Sequence, residues 1–166
     1  MKGKGMDKSL GGASFIDLEK LTIRVAKPDD VARLQVLYHQ LIPEEDLEVE
    51  EMRETLNHIL DHLESISIIV AENGGDIVGT CQIIVYDNLI RAPQKKAVID
   101  SVVVDKPYRN MGVGTKMVSW AVEELKRRHC KIIYVSFATS RDIAPRLYRK
   151  VGFEPFGTTF FIRHEE

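Results

Sequence analysis

Gly112 and Gly114 flank one valine in the stretch Arg109-Asn110-Met111-Gly112-Val113-Gly114. An apolar run, Ala97 to Val104, ends shortly before it, and a helical period, Gly112 to Arg128, begins within it. A strand that feeds a glycine-rich turn into a helix N-terminus is an anion-binding device. The first N–H groups of a helix have no partner within it, and the helix dipole adds about half a positive charge there. Glycine carries no Cβ, so the backbone can come close to a diphosphate. Arg109 and Lys116 add charge, and Thr115 adds a hydroxyl.

Two kinds of phosphate site fit poorly. A Walker loop requires Gly-Lys-Ser/Thr, whereas Gly114 is followed by Thr115-Lys116. A dinucleotide fingerprint requires a third glycine where Met117 stands. Asp100 interrupts the apolar run before the turn. A buried carboxylate is costly unless hydrogen-bonded or functional, and burial would raise its pKa towards a useful range. General base and structural loop cap are both open for it. Tyr86 and Asp87, which end the neighbouring strand, are weaker candidates for a base. His58 and His62 stand four apart on a helix, but Ile59-Leu60-Asp61 between them is not the metalloprotease pattern and a third ligand is not evident. No metal site is expected. Cys81 and Cys130 form no Cys-x-x-Cys pair and read as buried thiols, which suits a reducing cytoplasm.

These residues need a scaffold. The chain has 166 residues, 44% of them hydrophobic, which suits one globular domain. A net charge of -2 argues against a general nucleic-acid binder. No apolar run reaches the roughly 18–20 residues that span a bilayer. Residues 1–14, rich in Gly, Lys and Ser, read as a flexible lead or a cloning remnant without a signal-peptide core, which leaves 15–166 as a single domain.

Along that domain, Leu21 to Ala26 alternates as a strand. Pro28 opens a helix carrying Val31, Leu34, Leu37, Tyr38 and Leu41, and Pro43 ends it. Met52, Leu56, Ile59 and Leu63 mark a second helix. Ser67 to Glu72 and Ile77 to Tyr86 form a hairpin about Asn73-Gly74-Gly75, with Gly79 marking a bulge or a close backbone approach. Asp87 to Lys96 reads as a polar loop, and Ala97 to Val104 as a central strand buried on both faces. After the glycine turn come a helix with Met117 and Trp120 in the core, a strand at Ile132 to Ala138, and a helix at Ile143 to Lys150. Phe153 to Arg163 supplies one or two last strands. The fold class is therefore α+β, a mixed sheet of six or seven strands flanked by four helices.

The segment from Val102 to Gly114 resembles the acyl-CoA-binding motif of the GNAT N-acetyltransferase superfamily, Arg/Gln-x-x-Gly-x-Gly/Ala after a central strand. Ala144-Pro145-Arg146-Leu147-Tyr148-Arg149-Lys150-Val151-Gly152-Phe153 is similar to that family's Ala-x-x-Leu-Tyr-x-x-x-Gly-Phe signature. The resemblance covers roughly Leu21 to Arg163. It implies acetyl-CoA as co-substrate and a sheet that is mostly antiparallel. Val102, Val103 and Val104 would line the pantetheine arm like an added strand, through the backbone of Val102 and Val104. Arg109, Asn110, Met111, Gly112, Val113, Gly114 and Thr115 would hold the diphosphate. The amine of an acceptor would attack the thioester directly. Tyr148 would protonate the departing thiolate, a backbone N–H of Val102 would hold the oxyanion, and Asp100 would act as base, directly or through water. The first two helices would wall the acceptor site, with His39, His58 and His62 in reach of a substrate. In one departure, the family often has Asn three residues before Ala144, where this chain has Arg141, so that pantetheine contact is not carried over. The acceptor would be a small molecule or protein carrying a primary amine, and many small stand-alone members of the superfamily are homodimers. A non-catalytic acyl-CoA-binding or sensor module would keep the turn without needing Tyr148 or Asp100.

Overall fold

The computed structural model describes residues 16–90, 94–137, 144–160 and 162. The expected lead over residues 1–14 lies outside these, as does Arg141. The elements run β1 (Thr22–Val25), α1 (Val31–Leu41), α2 (Val49–His62), β2 (Ile66–Asn73), β3 (Asp76–Asn88), β4 (Gln94–Val104), α3 (Val113–Arg127), β5 (Cys130–Val135) and α4 (Ala144–Val151). The sheet order is β1-β2-β3-β4-β5. Three neighbouring pairs are antiparallel and β4–β5 is parallel, with α3 as the crossover.

The sheet separates two apolar layers. On one side Val31, Leu34, Leu37 and Leu56 of α1 and α2 pack on Ile68, Val70, Ile77 and Val103. On the other, Val113, Met117, Val118, Ala121 and Leu125 of α3 pack on Ile69, Ala71, Val78, Cys81, Ile83, Ala97 and Ile99. Ile68 to Ala71 thus supply both layers in turn, which is why β2 reads as an unbroken apolar run. Gly79 is a close approach, as expected. A Cβ there would stand 3.2 Å from the Val103 carbonyl and 3.5 Å from Val113 Cγ1. The start of α1 is fixed by Asp30, which accepts from the Lys27 N–H at 2.7 Å and from Arg24 Nη1 at 2.6 Å.

Three expectations are corrected. Both ends of the expected polar loop Asp87 to Lys96 are strand, at 87–88 and 94–96, because they pair as Tyr86↔Lys96, Asp87↔Lys95 and Asn88↔Gln94. Opposite charges facing each other there offset the lack of apolar pattern. The sheet has five strands among the described residues rather than six or seven. Residues 153–160 and 162 form no strand. Pro155 has no N–H to donate, Gly157 turns the chain with φ 72°, and Phe156, Phe160 and Ile162 remain more than four-fifths exposed, so beyond Phe153 these apolar residues bury no face. Finally, β4 is not buried on both faces throughout, since Asp100 is exposed. The cause is a bulge. Ala97 and Ile99 face the α3 layer, but Val103 faces the α1–α2 layer. One extra residue at 101–102 has reversed the alternation.

Candidate active site

After Val104 the chain makes one 3₁₀ turn, Lys106–Tyr108, with Pro107 near its start. Arg109 is extended, and Asn110 and Gly112 then take left-handed φ values of 62° and 88°. The left-handed backbone at Gly112 disfavours any side chain, and a Cβ there would also stand 2.8 Å from Leu18 Cδ1, which would have to move. Gly112 is also the N-cap of α3 and supplies no side-chain cap. The first bond of the helix runs from the Lys116 N–H to the Gly112 carbonyl, at 3.0 Å. The N–H groups of Val113, Gly114 and Thr115 therefore have no acceptor within α3 and suit an anion. Val113 is buried, so its contribution to a ligand would be its backbone alone. Arg109 is exposed at the rim, with Nε donating to the Val104 carbonyl at 2.9 Å. The Lys116 ammonium donates to the Leu18 carbonyl, which pins the segment before β1 beside the turn.

The strand leading into this turn is open on one side. β4 pairs with β5 only from Lys95↔Cys130 to Ile99↔Val135. Beyond Ile99 the backbone of residues 100–104 has β3 on one flank and no strand on the other among the described residues. Ser101 has φ 50°, and the register with β3 shifts between Thr80 and Gln82, so Ser101 and Val102 together oppose Cys81. Such a bulge bends and twists the strand away from its neighbour. An extended arm ending in a diphosphate can add to this edge and finish on the helix N-terminus.

Asp100 sits just before the bulge. Its Oδ1 accepts from the Ser101 N–H at 2.7 Å, so one oxygen shapes the bulge while the carboxylate stays open to solvent. The burial expected for it is absent, because the extra residue re-aims this part of β4. Tyr86 and Asp87 are not brought to the gap. They pair with Lys96 and Lys95, four and five residues from Asp100 along β4, on the order of 13–17 Å away. With Glu64, Arg128 and His129 they line a separate cavity of about 360 Å³. His58 and His62 are exposed, with ring centroids 5.1 Å apart. Among the described residues no three His, Cys, Asp or Glu side chains group as metal ligands.

Tyr148 is buried on α4. Its ring stacks on Phe137, with centroids 5.3 Å apart, and meets Phe153 edge-on at 5.8 Å. The end of α4 explains the spacing of its motif. The Phe153 N–H bonds to the Tyr148 carbonyl and the Gly152 N–H to the Arg149 carbonyl, both at 3.0 Å, with Gly152 at φ 102°. This is a Schellman cap, in which a left-handed glycine ends the helix and the next residue packs on the one five before it. Leu147, beside Tyr148, reaches the turn itself. A Cβ on Gly114 would stand 2.7 Å from Leu147 Cδ1. The two glycine-bearing motifs, some thirty residues apart, thus meet in space.

Residues 30–153 match the model of the acetyltransferase (GNAT) family. The chain belongs to that family. A protein of Sulfurisphaera tokodaii named N-alpha-acetyltransferase is 28% identical over 103 residues, which cover 57% of this chain and 62% of that relative. The chain therefore spans less than two thirds of that relative's length. A solved transcriptional regulator from Bacillus halodurans C-125 superposes with a TM-score of 0.81 at 25% identity, covering 87% of this chain and 99% of that one. Glucosamine-6-phosphate N-acetyltransferase from Arabidopsis thaliana shares the fold, with a TM-score of 0.77, 21% identity and coverage of 87% and 99%.

Within this GNAT domain, other residues stand at the site without any signal in the sequence. Tyr38 of α1 bonds to Thr80 beside the bulge, and burial pushes its phenol up to about 12. Arg33 and Gln40 of α1 reach Asp105 at the start of the turn. Phe137 follows β5 and stacks on Tyr148. A polar residue on a helix face or an aromatic after a strand looks like any other until the tertiary contact is known.

Proposed function

We propose that the chain transfers an acetyl group from acetyl-CoA to a primary amine. What supports this most is the continuity of one open edge, residues 100–104 of β4, with the uncapped N-terminus of α3. That edge can hold a pantetheine arm, and the turn Arg109 to Thr115 its diphosphate. Acetyl-CoA would supply the activated acyl group. The amine nitrogen forms a bond to the thioester carbonyl carbon, and the carbon–sulfur bond breaks. Asp100, through water, takes the proton that the amine loses, and a backbone N–H at Val102 holds the oxyanion. Tyr148 gives a proton to the thiolate. Neither cysteine takes part, since both are buried.

The name of the Sulfurisphaera relative supports a peptide α-amine as one acceptor class, beside small-molecule amines. We also propose a homodimer working in the cytoplasm, which sedimentation and cell fractionation test. A thiol-release assay with acetyl-CoA and a panel of peptide N-termini and small amines decides the reaction. Release that depends on an amine supports transfer. CoA binding without release on any amine would instead indicate an acyl-CoA-binding or sensor module.

A further inference from the structure

We infer that Arg33 and Gln40 of α1 are positioning residues that hold the turn after β4, and with it Arg109, ready for a diphosphate. This rests on the reading that the turn binds acetyl-CoA. The two residues stand seven apart, two helical turns, and so share one face of α1. Arg33 donates from Nε to the Ile77 carbonyl at 2.8 Å and from Nη2 to Asp105 Oδ2. Gln40 donates from Nε2 to Asp105 Oδ1 at 2.8 Å. Its Oε1 accepts from the Lys106 N–H at 3.1 Å and from Arg109 Nη2 at 3.3 Å.

Position 40 needs a side chain that donates to a carboxylate and accepts from two N–H groups at once. A glutamine amide does both, whereas Glu cannot donate and Lys cannot accept. Asp105 is buried and its own N–H is bonded to the Val78 carbonyl at 2.9 Å, so the anchor is tied to β3. Arg109 is otherwise a rim side chain. With Nε on Val104 and Nη2 on Gln40, its guanidinium is aimed before a ligand arrives, which lowers the cost of ordering it on binding. Helix α1 thereby grips the turn that follows the central strand.

The test compares Gln40→Met with wild type by calorimetric titration of CoA, and by NMR titration of pantetheine, which lacks the diphosphate. Both are repeated in an Arg109→Met background, with urea midpoints confirming that each variant is folded. The inference expects CoA affinity to fall about tenfold on Gln40→Met, pantetheine affinity to hold, and less than a twofold further CoA loss once Arg109 is gone. Unchanged CoA affinity, an equal loss for pantetheine, or an undiminished loss without Arg109 would each overturn it. Wild type that binds no CoA at all would instead overturn the acetyl-CoA reading, and this inference with it.

Discussion

Leu147 of α4 lies against Gly114 of α3 so closely that a Cβ on Gly114 would stand 2.7 Å from its Cδ1 and 3.4 Å from Val104 Cγ2. The second glycine of the turn is therefore a close packing contact as well as an opening for a ligand, and a Cβ there would make Leu147 shift. It lets the helix that carries Tyr148 dock beside the end of β4. Alanine at position 114 would gain up to about 1 kcal/mol of helix propensity. It would also push Leu147 out of its place, at about 1–3 kcal/mol for overpacking. Gly114→Ala is expected to lower stability by about 1 kcal/mol in urea unfolding. In a Leu147→Ala background the same change should be neutral or stabilising. Equal effects in both backgrounds would mean that the contact is not what excludes a side chain.

Tyr148→Phe separates chemistry from packing. The ring contacts to Phe137 and Phe153 do not need the hydroxyl, so the variant should keep its fold and its affinity for CoA. Loss of a proton donor should lower kcat by about 10²–10⁴-fold. Steady-state kinetics with a good amine acceptor measures this, and an unchanged kcat removes Tyr148 as the acid.

The cysteines should be silent. Burial pushes the Cys81 thiol up to about 12, and burial also raises Cys130. At pH 8 the Cys81 thiol therefore stays protonated and is a poor nucleophile. Iodoacetamide should label neither residue in the folded protein, both after unfolding, and turnover should survive the native treatment. Rapid native labelling with loss of turnover would point to a thiol in the reaction.

Asp30 gives stability a defined pH dependence. Burial works to raise its carboxyl, but hydrogen bonds from Arg24 and the Lys27 N–H, with the Arg24 charge, hold it below the ordinary 3.8. A depressed native pKa stabilises fully above the unfolded value and is lost as pH falls through the native one. Asp30→Asn should cost about 2 kcal/mol at pH 7 by chemical denaturation. That difference should shrink as pH falls below 3.8. A difference that stays constant from pH 6 to pH 3 would contradict the role given to this ion pair.

The order of the first nine elements is legible in the sequence because each rests on local signals. Gly112 and Gly152 are left-handed turn residues at helix ends, and Asn73-Gly74-Gly75 is a tight turn, as their types suggest. What fails is what depends on distant partners. The exposure of Asp100 follows from a register shift against Cys81, which no pattern within β4 reveals. The strand character of Asp87 and Lys95 comes from facing one another. The apolar spacing of Phe153 to Ile162 invites a strand, but Pro155 and Gly157 interrupt it. At the site, the glycine turn and the Leu147-Tyr148 motif could be read directly. The grip of Arg33 and Gln40 on Asp105 could not, because it joins residues 72 and 65 positions apart.

The central claim is that acetyl-CoA binds along β4 and ends on the turn before α3. Amide NMR titration of the ¹⁵N-labelled chain with CoA tests it most directly. The account predicts saturable shifts centred on Ser101 to Val104 and Arg109 to Lys116, with ATP producing far weaker ones. Shifts centred instead on the cavity lined by Tyr86, Lys95 and Arg128, or no shifts at millimolar CoA, would contradict it.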